Sequence, residues 1–418
     1  MSGSIRNAST RFATALASSS EAPTTTKFHQ IYKQTHQQLQ RSIQQWIDRS
    51  VNPNVDEWEA TGEFPGRKLF KELGEIGALG TTKPIDYDGL GLDYSYAIAV
   101  AEQIGSIKCG SIPMAICVQT DMATPALATY GSDYLKREFL IPSVSGDRIS
   151  CIAVSESSGG SDVAAIKTTA SRSHLAGSTD LVVKGEKCWI TNGIQADWAC
   201  LLANTSTEPS HRNKSLICVP LNLPGIHRVP LAKSGMLCSD TAQIFFDDVK
   251  VPKCHIIGEE GDGFIYQMRQ FQDERLVTVA VALSPLQRCI DETIEYTRNR
   301  RIFGSTILGQ QYIQYNLAEM QTELEAVRSL LYRAVEARLS GEDVTMLASM
   351  GKLMVGKLAR KITDSCMQMW GAVGMTPSCP ISRIQRDLRV FSIGAGCDEV
   401  MMSIICKHMQ ISDSPRKK

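Results

Sequence analysis

The spacing of hydrophobic residues changes along the chain and first predicts a helical region. From residue 27 to 147, apolar residues recur every three or four positions, as in IYKQTHQQLQRSIQQWIDRSV and GRKLFKELGEIGALG. This spacing is typical of amphipathic helices, and the glycine after the second stretch is a helix stop signal. YSYAIAVAEQIGSI is apolar on more sides, which predicts a more deeply buried helix. We therefore expect an N-terminal α domain over 27–147.

Two further regions follow from the same pattern. Over 148–257, turn residues separate short segments rich in β-branched residues, which predicts an antiparallel β barrel or sandwich. The segments are RISCIAVSE, LVVKGEKCWITNG, DWACLLANT, KSLICVPLN and QIFFDDVKVP. Over 258–418 the helical spacing returns in four long stretches, at 262–298, 308–340, 344–373 and 396–410. Short connections between long helices predict a four-helix bundle, and the fold class is α+β in the order α, β, α.

The first 26 residues differ in composition from the rest of the chain. MSGSIRNASTRFATALASSSEAPTTT contains Arg6 and Arg11, many Ser, Thr and Ala residues, and no acidic residue before Glu21. This composition is typical of a mitochondrial transit peptide, and a disordered polar tail is the alternative. We expect a location in the mitochondrial matrix, with cleavage of the segment left open.

Charge and cysteine usage exclude several classes of protein. The 418 residues include 44 Lys and Arg against 44 Asp and Glu, so the basic surplus typical of nucleic-acid binding is missing. No apolar run reaches the about 20 residues that a membrane-spanning helix needs. The 13 cysteines form no CxxC pair and the 7 histidines no HxxxH or HExxH pair. The sequence thus predicts buried free thiols and no metal site.

Two motifs in the β region can carry chemistry. SESSGGSDVAAIKTTA, at 155–170, follows a predicted strand with small residues that let backbone N–H groups approach a pyrophosphate, and Ser161 adds a hydroxyl. An ordinary surface turn is the alternative. CWITNG, at 188–193, places Trp189 beside Thr191, either as a core residue or as an aromatic wall for a planar cofactor ring. No GxGxxG is present, so a Rossmann-type site is not predicted.

Two other motifs lie among the C-terminal helices. RNRRIFGSTILGQQ, at 298–311, ends a predicted helix with three arginines, which are either a solvated basic helix end or phosphate ligands. QMWGAVGM, at 368–375, interrupts a helix with Gly371 and Gly374. A helix C-cap and a close backbone approach to a ligand both explain these glycines.

The stretch FQDERLVTVAVAL, at 271–283, places three charges directly before an apolar run. In one interpretation Glu274 is a solvated carboxylate paired with Arg275 or Arg269. In the other it is a base held against a group that has to lose a proton.

In order and spacing, these motifs resemble the acyl-CoA dehydrogenase family over nearly everything after the first thirty residues. The family motif TEPxAGSD corresponds to SESSGGSD, in which Ser155 and Ser157 replace Thr and Pro. The motif W/F-I-T/S is matched by Trp189, Ile190 and Thr191. The later matches are R-x-x-F-G at Arg300 to Gly304, a Gln at Gln311, Q-x-x-GG-x-G at Gln368 to Gly374 with Ala372 for a Gly, and R-x-x-RD at Arg383, Arg386 and Asp387.

The resemblance implies a bound FAD. Its isoalloxazine ring is expected against Trp189, with Thr191 at the ring edge and Ser161 at the pyrophosphate. Arg300, Gln311 and the loop 368–372 are expected to reach the FAD of a neighbouring subunit, which makes an oligomer, usually a tetramer, part of the site. Cys397 replaces a Thr that commonly contacts FAD. The full set of implied cofactor residues is Ile152, Val154, Ser155, Ser161, Trp189, Ile190, Thr191, Arg300, Gln311, Gln368, Gly371, Ala372, Cys397 and Glu399.

The reaction implied is the α,β-dehydrogenation of an acyl-CoA thioester to the trans-2-enoyl-CoA, in fatty-acid or branched-chain acyl catabolism. A base removes the α-proton while hydride leaves the β-carbon for flavin N5, and electrons pass on to electron-transfer flavoprotein. Hydrogen bonds to the thioester oxygen stabilise the developing enolate. The alternative is a catalytically silent relative that binds acyl-CoA; an oxidase using O2 is disfavoured by the chain length and the missing peroxisomal signal.

The resemblance also implies which residue is the base. Many family members carry it as the Glu of EGTSEI, but the corresponding AGCDEV, at 395–400, has Ala395 in that position. A branch that includes isovaleryl-CoA and long-chain acyl-CoA dehydrogenases places the base on an earlier helix before an Arg, where this chain has Glu274. The IGAG at 393–396 is similar to the isovaleryl type. The implied substrate-binding residues are Ser161, Gln272, Asp273, Arg275, Ala395 and Gly396.

Overall fold

A computed structural model describes residues 31–173, 179–208 and 211–411 of the chain. The predicted transit peptide, residues 1–26, lies outside these ranges. Within them, none of the helices is both long enough and apolar enough to cross a membrane.

The first region is helical, as its spacing predicts. In the helix Gln34–Trp46 the buried face carries Leu39, Ile43 and Trp46. Gly77, with φ 82°, ends the helix Gly66–Ile76 in the left-handed conformation that glycine adopts without strain. The α-helices here are Gln34–Trp46, Val55–Thr61, Gly66–Ile76, Tyr94–Ile104, Ser111–Cys117, Pro125–Tyr130, Asp133–Leu135 and Ile141–Val144. The π-helical segments are Ile47–Val51, Val118–Ala123 and Lys136–Leu140.

The middle region forms one eight-stranded sheet with the order β6-β7-β3-β2-β4-β5-β8, and β1 pairs with β4. The strands are β1 (Ser150–Ala153), β2 (Thr169–Arg172), β3 (Asp180–Ile190), β4 (Trp198–Asn204), β5 (Lys214–Pro220), β6 (Ile226–Pro230), β7 (Ala242–Pro252) and β8 (Ile256–Ile257). Hydrophobic spacing predicts five of them. It misses β2, β6 and β8, because most of β2 and β6 is exposed and β8 has only two residues.

One expectation about this sheet is wrong, because its strands are not all antiparallel. β1 runs parallel to β4, with Ser150 opposite Trp198, and β2 meets β4 in parallel at one residue pair. A long connection, rather than a hairpin, joins β1 to β2, so β1 is free to pair with a distant strand in the parallel sense.

Strands β4 and β5 are buried along nearly their whole length because both faces are covered. On β4, Ala199, Leu201 and Ala203 join the main core of the protein. Trp198, Cys200 and Leu202, on the other face, join a second core formed with the helices between residues 123 and 144. Burial on both faces explains why the sequences of these strands are continuous apolar runs.

The last region contains five α-helices rather than a bundle of four. They are Gly263–Asn299, Gln311–Leu339, Thr345–Trp370, Pro380–Leu388 and Asp398–His408. The additional helix, Pro380–Leu388, has only nine residues and starts with proline at its first position, so its apolar periodicity is brief. A two-stranded hairpin of β9 (Arg301–Ile302) and β10 (Ser305–Thr306) follows the first long helix.

Short 3-10 helices complete the described secondary structure. They are Asn52–Asn54, Ala78–Gly80, Ile85–Tyr87, Val163–Ala165, Lys253–His255, Ile307–Gly309, Gly371–Met375 and Arg389–Ser392. The helix Gly263–Asn299 packs against Thr345–Trp370, Gln311–Leu339 and Tyr94–Ile104, so it joins the first and last regions.

Candidate active site

Glu274 lies in the first half of the helix Gly263–Asn299 and is buried rather than solvated, with 4% of its surface exposed. Its Oε1 atom accepts hydrogen bonds from Gln270 Nε2 at 2.9 Å and Gln267 Nε2 at 3.2 Å. Positions four and seven residues earlier lie on the same helix face, so the two amides approach the carboxylate from one side. The interpretation of Glu274 as an exposed helix carboxylate is therefore wrong.

Burial gives this carboxyl group the pKa of a base that works near neutral pH. Loss of solvation raises the pKa of Glu274 to about 7, and the negative charge of Asp121 adds to the effect. Hydrogen bonds from Gln270 and Gln267 and the charge of Arg275 act in the opposite direction. A carboxylate with this pKa accepts a proton more readily than a solvated one.

Arg275 is the second unusual group here, with 6% of its surface exposed. Its Nη1 donates to Gln272 Oε1 at 3.0 Å, while its Nε has no hydrogen-bond partner among the described residues. A buried N–H without an acceptor costs free energy, so this group suits a ligand that brings an acceptor. A Cβ placed on Gly396 would lie 3.9 Å from Arg275 Nε, which puts the turn 393–397 against this guanidinium.

The turn 393–397 has a defined backbone shape. Ala395 has φ 52°, a left-handed conformation that residues other than glycine seldom adopt, and Gly396 follows with φ 92°. The fully buried Lys352 donates from Nζ to the carbonyl of Gly396. Burial lowers the pKa of Lys352 to about 8, although Asp398 and Cys397 raise it. A buried cation therefore fixes the turn that presents Ala395.

The turn 155–161 and the end of β3 lie next to each other. Cys188 N donates to Ser155 O at 2.9 Å. Trp189, with φ 63°, has 62% of its surface exposed, so it is not a core residue. At the far end of the turn, Ser161 Oγ lies 3.8 Å from Cys397 Sγ. These contacts connect the Gly/Ser-rich turn to both the tryptophan and the turn that carries Ala395.

Glu156 and Lys187 form a buried ion pair at this turn. Hydrophobic spacing does not predict this pair. Lys187 Nζ lies 3.0 Å from Glu156 Oε1 and also donates to Val154 O at 2.8 Å. The Glu156 carboxylate accepts further hydrogen bonds from Lys167 N, Thr168 N and Thr168 Oγ1. In the sequence, the only indication of this pair is a lysine within a predicted strand. That this lysine is buried is known only from the structure.

The residues around Trp189 fit a flavin. The exposed indole offers an aromatic surface on which a planar ring can stack. A Cβ added at Gly159 would meet no atom within 4 Å, so the turn borders open space, as an anion-binding loop requires. Ile152 is partly buried, Val154 and Ile190 are buried and Thr191 is half-buried, so this group offers apolar contacts and one hydroxyl.

Most of the remaining predicted residues are exposed. Arg300 lines a groove with Trp370, whose ring stacks on Tyr296 at a centroid distance of 4.1 Å. The exposed members of the cofactor set also include Ser161, Gln311, Gln368, Gly371, Ala372 and Glu399. Asp273 forms an ion pair with Arg338 at 3.0 Å, which gives its carboxylate a partner within the chain.

We expect that Lys187→Met destabilises the protein by about 3–5 kcal/mol, since it leaves the Glu156 carboxylate buried without its cation. The same change should lower the fraction of flavin retained after gel filtration. Denaturant unfolding and the flavin absorbance measure the two effects. Arg137→Met, which removes an exposed pair with Asp133, is the control and should change neither. Equal stability of the Lys187 and Arg137 variants would contradict this role.

Comparison with known proteins adds independent evidence. Three family models match the chain: Acyl-CoA dehydrogenase, N-terminal domain, over 33–147; middle domain, over 151–249; and C-terminal domain, over 261–410. The chain is 30% identical over 390 residues to the short-chain specific acyl-CoA dehydrogenase, mitochondrial, of Bos taurus, which covers 92% of this chain and 93% of that protein. It is 31% identical over 389 residues to the long-chain specific enzyme, mitochondrial, of Rattus norvegicus, with 92% and 88% covered.

A solved structure has the same fold. The crystal structure of acyl-CoA dehydrogenase from Geobacillus kaustophilus superposes with a TM-score of 0.87 at 32% identity, and the match covers 91% of this chain and all of that one. The resemblance drawn from the motifs and the α, β, α order are both confirmed. The chain therefore belongs to the acyl-CoA dehydrogenase family of FAD-dependent oxidoreductases.

Proposed function

We propose that this protein dehydrogenates an acyl-CoA thioester between Cα and Cβ, with Glu274 as the base that removes the α-proton. The observation that supports this most directly is the buried Glu274 with its raised pKa, in a chain that has Ala395 where many relatives have the catalytic Glu. Bound FAD supplies the hydride acceptor. The product is the trans-2-enoyl-CoA.

The surroundings of Glu274 suit proton abstraction. Both Gln267 and Gln270 donate to Oε1, which leaves Oε2 to face the α-proton. The amides hold the carboxylate in one orientation, and burial excludes the water that would otherwise solvate it. The α-proton of a thioester is a poor acid, so a positioned and desolvated base lowers the barrier to its removal.

The turn 393–397 and the neighbouring Arg275 have separate tasks in this proposal. The backbone N–H of Ala395 donates to the thioester oxygen, where negative charge develops, and this task needs no side chain. The unpartnered Nε of Arg275 donates to an acceptor of the CoA portion. Gln272, Gly396 and Ser161 also contact this portion of the substrate. Asp273 acts less directly, because its carboxylate pairs with Arg338.

Glu274→Gln should abolish flavin reduction while FAD stays bound, because the amide retains the shape of the side chain but is not a base. The measurement mixes the anaerobic protein with acyl-CoAs of several chain lengths and follows the loss of the oxidised flavin absorbance. Asp291→Asn, an exposed carboxylate on the same helix, is the matched control and should be reduced at the wild-type rate.

Two results would be decisive against this proposal. Normal bleaching in Glu274→Gln would show that another residue is the base. Tight binding of every thioester without any bleaching in the wild-type protein would favour the alternative, a catalytically silent acyl-CoA-binding relative.

We also expect a pH dependence with a defined sign. The pKa of Glu274 rises from 4.5 to about 7 in the folded protein, so the carboxylate accumulates only as the pH passes about 7. kcat/KM should therefore increase with pH through this value and level off above it. Ionising a buried carboxyl costs free energy, so folding stability should fall over the same window from about 4.5 to about 7. Glu274→Gln should remove that stability loss; an unchanged slope would contradict the assignment.

We propose a homotetramer in which a neighbouring subunit completes the flavin site. Close to Arg300 and Gln311 in the sequence, three large aromatic side chains are exposed: Phe303 at 99%, Tyr312 at 74% and Tyr315 at 63%. Exposed aromatic residues are typical of interfaces.

Phe303→Asp should lower the oligomer mass and reduce flavin retention, because it places a charge in this apolar contact. Mass photometry gives the mass, which for the wild type should be four times that of one chain. Ile85→Asp, at an exposed apolar residue of the first region, is the control. A wild-type monomer that retains FAD would contradict a shared site.

The electron acceptor and the compartment are further parts of the proposal. The family resemblance supports electron-transfer flavoprotein as the acceptor. The composition of residues 1–26 supports import into the mitochondrial matrix. The names of the bovine and rat relatives include the word mitochondrial, whereas the Geobacillus kaustophilus structure comes from a bacterium, so membership of the family leaves the compartment open.

A further inference from the structure

Three side chains with metal-binding atoms meet at a point that the proposed reaction does not use. They are Glu59 in the helix Val55–Thr61, Cys109 just before the helix Ser111–Cys117, and Cys238 in the connection between β6 and β7. A carboxylate oxygen of Glu59 and the two Sγ atoms all lie within 4.8 Å of one another. The three residues are buried, with 8%, 4% and 0% of their surfaces exposed.

The Glu59 carboxylate is held at one oxygen and lacks a partner at the other. Its Oε1 accepts from Cys238 N at 3.1 Å and from Ser111 Oγ at 3.1 Å. Its Oε2 is buried and has no hydrogen-bond partner among the described residues. A buried acceptor without a donor or a cation is costly, so this oxygen indicates a ligand that the protein side chains do not provide.

The two cysteines are free thiols, and no disulfide joins them. Both sulfur atoms are therefore free to bind a cation. A bound divalent cation stabilises thiolates directly, so metal binding at this point releases the thiol protons.

The surroundings can balance the charge that such binding creates. Lys233 interacts electrostatically with Glu59 and Cys238, and Arg383 with Glu59 and Cys109. Two thiolates and one carboxylate around a divalent cation leave one negative charge in excess. Arg383 is already paired with Asp56 at 2.6 Å, so Lys233 is the side chain that offsets this excess charge.

We propose that Glu59, Cys109 and Cys238 bind a zinc ion. Two thiolates with one carboxylate form a ligand set that zinc accepts, whereas magnesium and calcium require oxygen ligands. Tetrahedral zinc needs donor atoms about 3.5–3.8 Å apart, so a small inward movement of these side chains is sufficient. A water molecule is then the fourth ligand of the tetrahedral site.

The site lies where the three regions of the chain meet. Asp387, in the helix Pro380–Leu388, accepts from Gly110 N at 2.8 Å and from Met236 N, so all three regions of the chain meet beside the cysteines. A zinc ion here joins the first helical region to the β6–β7 connection. The sequence predicts no metal site because the three ligands come from distant segments and form no local spacing motif.

The test uses the full-length, FAD-loaded protein, incubated with excess zinc chloride and then gel-filtered without chelator. We expect one equivalent of zinc per chain by mass spectrometry of the metal. Cys109→Ser with Cys238→Ser should lose at least nine-tenths of it, with unchanged flavin absorbance. Cys289→Ser with Cys366→Ser is the matched control, since these two are also buried cysteines close to each other, and it should keep its zinc.

A measurement on the wild-type protein covers the case in which the double variant does not fold. X-ray absorption at the zinc edge should show two sulfur ligands at about 2.3 Å and oxygen ligands at about 2.0–2.2 Å. Retention of zinc by the double variant, a ligand shell without sulfur, or less than a tenth of an equivalent in the wild type would each overturn the proposal. So would alkylation of denatured wild type that finds two fewer thiols than the 13 cysteines, because that result indicates a disulfide.

Discussion

The desolvation of one carboxyl group, Glu274, is the constraint on which the arrangement of this protein depends. Its cost is offset by two glutamine amides from the same helix, and one of them is itself held from outside that helix. Gln270 donates to the carbonyl of Met122 and accepts from Ala126 N. The orientation of the proposed base therefore depends on how the first helical region packs against the helix Gly263–Asn299. Packing defects in that region would change this orientation through Gln270.

Three buried lysines show how the segments around this carboxyl group are held. Each donates from Nζ to a main-chain carbonyl next to the site: Lys83 to Thr120, Lys187 to Val154 and Lys352 to Gly396. Burial lowers the pKa of each to about 8. An ammonium group with three donors restrains an irregular backbone segment more firmly than apolar contact does, because it loses its solvation unless it keeps these acceptors. Replacing them by hydrophobic residues would keep the volume and lose the restraint.

The sequence predicts the architecture well where burial follows a simple period. For the candidate base it supplies a motif, and Glu274 stays a prediction. The helices Gln34–Trp46, Gly66–Ile76 and Tyr94–Ile104 and the strands β1, β3, β4, β5 and β7 follow from spacing alone. Strand β6 and the helix Pro380–Leu388 do not, because one is mostly exposed and the other is short. The partners of Glu274 and the Glu156–Lys187 pair also escape prediction, since a polar residue inside an apolar pattern does not reveal which distant group it meets. Long-range pairing is a property of the fold, and a single sequence does not display it.

Strands β4 and β5 contribute alternate faces to two separate hydrophobic cores. The two cores are expected to unfold together. Unfolding of one core would expose one apolar face of β4 and β5 to water and so destabilise the strands whose other face forms the second core. The helices between residues 123 and 144 are therefore expected to unfold together with the sheet rather than as an independent unit. Amide hydrogens of β4 and β5 should belong to the most slowly exchanging set, and the two cores share one cooperative transition.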